Sequence, residues 1–244
     1  MIKKTRLVLA FGMVLALGVA GIAYADGVSE NNAEVQGSIK PTKLSKKEYK
    51  PVALFSGVVT RTTVDGAQFN PASEYISYPK NVKFDFNAGD VCTALPPSGS
   101  TPDQAKAACP KSSFLGSGSA RVERPNLPAN PINDIVVSVF RGPDKKGIQL
   151  HTYSPTLLAA SPTVQGSIVK SNAGGKFGYA LSVPNSPVTG SLMISEFNAT
   201  ISKASKAVLA RCKSKTMTYQ RKVTYTDGSS ETAEVTQKCK QKKN

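Results

Sequence analysis

Four cysteines are the residues of this chain with the most chemical potential: Cys92, Cys109, Cys212 and Cys239. Thiols can bind a metal, act as nucleophiles or oxidise to disulfides. Zinc fits poorly, because neither the first two nor the last two show C-x2-C spacing and the one histidine, His151, is remote from both in sequence. An even set in an exported chain reads as disulfides. Four cysteines allow three connectivities that sequence alone does not separate, and local pairing is the expectation. Thr101-Pro-Asp-Gln-Ala-Lys-Ala-Ala-Cys109 predicts a short helix, with Thr101 as its cap, Pro102 in its first position and Asp103 in its first turn. Such a helix can fold Cys109 back to Cys92. For loops of these lengths the chain-entropy model gives about 3 and about 3.6 kcal/mol.

The other chemistry-bearing residues lack a supporting pattern. Ser-His-Asp catalysis needs a base presented in a pocket. His151 instead lies in Gln149-Leu-His-Thr-Tyr153, whose alternation puts it beside Gln149 and Tyr153 on one face of a sheet. No G-x-S-x-G occurs. Two S-x-x-K matches, Ser77 to Lys80 and Ser167 to Lys170, would need a helical turn to bring lysine beside serine; the first contains Pro79 and the second reads as strand. Asp85-Phe-Asn-Ala-Gly-Asp90 has oxygen-bearing side chains as a calcium loop does, but lacks the distal glutamate and reads as a hairpin turn. No catalytic, cofactor or metal residue is therefore assigned. Tyr75, Tyr78, Tyr153, Tyr179, Tyr219 and Tyr225 could offer flat rings to sugars, yet as strand tyrosines they read as structural. Asn198-Ala-Thr200 matches the glycan acceptor pattern incidentally. Carboxylates brought together only by the fold leave a secreted polysaccharide hydrolase as the competing function.

The elements that must position these residues begin with a leader. Met1 to Arg6 is basic, Leu7 to Ile22 is almost wholly apolar, and Ala23-Tyr24-Ala25 is an A-x-A cleavage signature. A signal peptide over 1–25, cut after Ala25, is expected, with a secreted product and no stable membrane insertion. Residues 26–50 lack a hydrophobic period and read as a flexible leader. From Pro51 onward short runs rich in branched and aromatic residues are closed by Pro, Gly, Asn or Asp. Two segments from Met217 to Cys239 flank Asp227-Gly228, a hairpin turn. Gly116 and Gly118 predict a bulge or a close backbone approach, and strand residues after them exclude a phosphate loop. About ten strands and one helix predict an all-β protein, an antiparallel sandwich over 51–244 with two disulfides.

Charge narrows the partners. The formal net charge is +15, and it is concentrated: five lysines face only Glu48 in residues 40–50, and eleven basic groups face Asp227, Glu231 and Glu234 in residues 201–244. A basic surface outside a cell attracts anionic surface polymers such as teichoic acids or acidic polysaccharides. The competing reading is that lysines keep strand edges from pairing. No nucleic-acid motif is present and tryptophan is absent.

The segments Thr101 to Lys111, Gly116-Ser-Gly-Ser-Ala120, Phe197-Asn-Ala-Thr-Ile201, Ala210-Arg-Cys212, Thr224-Tyr-Thr-Asp-Gly228 and Thr236-Gln-Lys-Cys239 resemble a group of exported four-cysteine β-proteins found mainly in soil actinobacteria. The resemblance spans roughly residues 50–240. It implies secretion and the four-cysteine framework, and it carries over no functional residue. The expected function is an exported, non-enzymatic binding or structural module of the cell envelope.

Overall fold

Alternation builds the sheet. In β15 (Thr216–Tyr225) Met217, Tyr219, Arg221, Val223 and Tyr225 are buried while Lys222 between them is exposed, the period-2 pattern of a strand with one face on a core. The chain turns at Gly228, whose φ of 86° suits glycine, and returns as β16 (Ser230–Lys238), pairing Tyr219 with Val235 and Thr216 with Lys238. The computed structural model describes residues 26–28, 33–60, 71–95, 99–123, 130–157, 163–184, 193–225 and 228–242. The signal peptide expected over 1–25 lies outside these residues.

Twelve strands make one antiparallel sheet. Its order is β1 (Asp26–Val28), β2 (Ala33–Lys40), β5 (Ala53–Thr60), β13 (Met193–Ile201), β8 (Phe114–Glu123), β9 (Ile132–Arg141), β10 (Gly147–Tyr153), β11 (Thr163–Lys170), β12 (Phe177–Pro184), β6 (Pro71–Pro79), β15 and β16. The all-β class, the short helix and both disulfides are as expected. The facing layers are two halves of one sheet, which curls until β16 lies against β2 around a single main core. No backbone ladder joins these two strands; side chains bridge them instead. The Gln237 carboxamide accepts from Ile39 N at 2.9 Å and donates to Ile39 O at 3.2 Å. Glu231 accepts from Ala33 N at 3.1 Å. A Cβ at Gly37 would collide with the Tyr219 ring, so only glycine lets that ring lie flat on β2.

One expectation needs correcting. Residues 33–40 do not belong to a flexible leader: Ala33, Val35 and Ile39 are buried in β2, and short polar residues between them disguised the alternation. The expectation for Gly116 and Gly118 holds in both respects. The register slips beside Gly116, and a Cβ at either glycine would strike the β13 backbone at Thr200 or Asn198.

Antiparallel pairing sorts the strand ends to two ends of the molecule. Thr60, Glu123, Ile132, Tyr225 and Ser230 mark the first. There Arg221, wholly buried, donates to Val59 O at 2.9 Å and Thr60 Oγ1 at 2.8 Å and pairs with Glu74 at 2.5 Å. Its reach ties β15 to β5 across the interior. Lys40, Ala53, Arg141, Thr216 and Lys238 mark the second end. It is capped by a three-stranded sheet, β4 (Lys50–Pro51), β14 (Val208–Ala210) and β7 (Val82–Phe84), and by a parallel pair, β3 (Lys43–Leu44) with β17 (Lys240–Gln241).

Candidate functional site

The second end carries a groove of about 640 Å³. Its lining includes Lys43, Lys47, Lys50, Lys203 and Lys242 over a floor with Pro41, Leu44 and Pro51. Three parts of the sequence thus supply its cations: the segment after β2, a 3-10 turn at Lys203–Ser205, and the stretch after β17. The two lysine-rich regions noted in the sequence meet here.

The scaffold beneath the groove is local and well bonded. Cys212 and Cys239 form a disulfide with Cα atoms 5.8 Å apart, and both belong to the main core. Around that bridge, Cys212 N donates to Ser45 O at 2.8 Å and Lys240 N to Thr42 O at 2.9 Å. Gln241 Nε2 donates to Cys212 O at 3.0 Å. Ser45 Oγ accepts from Lys47 N and Glu48 N, each at 3.1 Å, which turns the chain at the groove wall. The disulfide therefore ties down the backbone that carries Lys43 and Lys242.

Lys50 Nζ lies 2.8 Å from Glu48, the single acid among the described residues of the lining. That hydrogen bond and the Lys50 charge hold the Glu48 carboxyl below the usual range. No ion pair among the described residues engages Lys43, Lys47, Lys203 or Lys242. Like charges gathered without counter-charges repel one another, and an anion in the groove relieves that repulsion.

Other sequence candidates take structural places. Cys92 and Cys109 are bridged, with Cα atoms 5.2 Å apart, and hold α1 (Pro102–Ala108) against β9 and β10. Thr101 and Gln104 form a reciprocal capping box. This excursion covers a small core of Phe140, Ala105, Leu95 and Phe114. His151, opposite Ser138 in the ladder, is 2% exposed. Burial lowers its pKa, and the Ser100 backbone pulls it partly back. Neither ring nitrogen finds a well-formed hydrogen bond among the described residues.

Ser77 is buried and shares a hydrogen bond of 3.0 Å with Ser171, while Ser167 and Lys170 sit in β11. In the turn from Asp85 to Asp90, the Asp85 and Ala88 carbonyls accept from the Arg141 guanidinium, which puts a cation of the protein's own against the turn. Tyr78 and Tyr219 meet edge-on in the core, and burial raises the phenol of Tyr78 to about 12. Tyr225 is raised to about 12 by burial and by Glu231. Asn198 spends its amide on Ser119 Oγ at 3.0 Å.

Sequence reasoning missed Tyr49, Lys83 and Arg211. Lys83 Nζ lies 4.4 Å and the Arg211 guanidinium 4.6 Å from the centre of the Tyr49 ring. Tyr49 had one signal, as the lone aromatic residue in residues 26–50. The other two became visible only through the register of β14 with β7. No protein-family model, curated protein or solved structure matches the chain.

Proposed function

We propose that this chain is an exported, non-enzymatic module of the cell envelope that holds anionic surface polymers in its lysine groove. The observation that carries the reading is the convergence of five lysines from three parts of the sequence on one concave surface, with one glutamate among them. Two disulfides and no free cysteine among the described residues suit an oxidising compartment, and the leader-like start supplies export.

Three acids that a sugar hydrolase could draw on are engaged in holding the fold. Glu74 pairs with Arg221, Glu123 with Arg121, and Asp134 accepts from Ser154 and Thr156 at 2.6 Å each. Those two hydroxyls, Ser154 first, lower the Asp134 carboxyl, which suits an acceptor and not a general acid.

Retention of the purified protein on immobilised heparin, measured against salt, tests the reading. Four uncommitted lysines predict a log–log slope on the order of −3. Retention that does not change with salt would overturn it.

A further inference from the structure

We infer that the ligand is a linear polyanion long enough to leave the groove, cross β4 and occupy a second cationic subsite formed by Tyr49, Lys83 and Arg211. This rests on the groove being the binding site. The ladder fixes the geometry. Leu209 of β14 faces Pro51 on one side and Lys83 on the other, and continuing that register brings Arg211 beside Tyr49. Alternation then divides the small sheet. Val82, Phe84, Val208 and Ala210 turn inward and are buried, whereas Lys83, Leu209 and Arg211 share the opposite, outer face with Tyr49.

Two cations converge on one ring there, and no carboxylate among the described residues pairs with either. The negative face of an aromatic ring tolerates cations without neutralising them, so the pair keeps its charge for an anion. The subsite and the groove share a wall. Lys47 and Lys50 line the groove, while the Lys47 carbonyl accepts from Arg211 Nη1 at 3.3 Å and the Tyr49 hydroxyl donates to Lys80 O at 3.3 Å. Adjacent strands lie about 5 Å apart, so crossing β4 is a short step for a chain with repeated charges. A compact anion fills the groove alone. A long one gains the second subsite at the effective concentration set by its own backbone.

Calorimetric titration of the wild type and Lys83→Gln with tripolyphosphate and with long-chain polyphosphate tests this. Lys83 is exposed, and unchanged thermal melting checks that the substitution spares the fold. The expected result is unchanged affinity for tripolyphosphate, a loss of about fivefold for the long chain, and a salt slope shallower by about 1 for the long chain alone. A repeat with heparin oligosaccharides and long heparin identifies the source of the charge. Length-dependent loss with polyphosphate alone assigns a phosphate polymer, and loss with heparin alone assigns an acidic polysaccharide; either upholds the two-subsite track. Equal effects on short and long ligands, or no effect on any long one, would overturn the track while leaving the groove standing. No binding by the wild type would remove the groove reading itself.

Discussion

The two ends of the curled sheet are fastened by different means. At the first, a buried guanidinium crosses the interior: Arg221 satisfies Val59 O, Thr60 Oγ1 and Glu74 from one side chain. At the second, a disulfide in the main core anchors short strands that bury one set of side chains and expose lysines on the other face. Charge follows the same division. Glu34, Glu74, Glu123 and Glu231 lie toward the first end, and the groove lysines lie at the second. A fastening of the first kind turns polar groups inward and supports only the fold. The second turns cations outward and supports a surface as well, so the same loss of stability should have different functional consequences at the two ends.

The largest test breaks the first end. Arg221→Ala leaves Glu74 and the strand carbonyl without their partner, and should cost about 3–5 kcal/mol in urea denaturation while heparin retention of the folded fraction stays as in the wild type. Next, Cys212→Ser with Cys239→Ser should cost about 3.6 kcal/mol and also abolish retention. Cys92→Ser with Cys109→Ser should cost about 3 kcal/mol and leave retention intact, since that bridge holds α1 against β9 and β10 and its segment contributes no described residue to the groove lining. If both double variants bind alike, the disulfide does not organise the groove.

A third, smaller effect inverts the first. Lys43→Gln with Lys203→Gln should weaken polyanion binding about tenfold while stability moves by no more than about 0.5 kcal/mol. The smallest concerns neither end. The lowered pKa of His151 means that the unfolded chain, titrating near about 6.5, takes up a proton that the folded ring resists. Stability should therefore be unaffected by this group above that pH and fall as pH drops through it toward the folded value. His151→Gln should flatten the dependence of the melting midpoint as pH falls below about 6.5.

Legibility in the sequence followed the range of the interactions. The β15–β16 hairpin was readable because its turn and its alternation lie within one stretch, and the helix before Cys109 because Thr101, Pro102 and Asp103 mark its start in three consecutive residues. The Gly116 and Gly118 contacts were half readable: the residue type announced a close approach but not which strand would make it. The groove was not readable. Its wall depends on β3 lying parallel to β17, a pairing of Lys43 with Lys240 across nearly the whole chain. Arg221 was hidden for another reason. In a run of alternating polar and apolar residues it looks like a solvent-facing charge, and only Glu74 and Thr60, brought in from other strands, explain its burial.

The join between β2 and β16 gives the molecule a line of uneven strength. Where neighbouring strands hold each other through rows of main-chain bonds, this join hangs on a carboxamide and a carboxylate, groups that can swing aside by single-bond rotation. Deuterium should therefore reach Ile39 N and Ala33 N sooner than the amides of β2 that β5 protects, and any partial unzipping of the sheet should begin there.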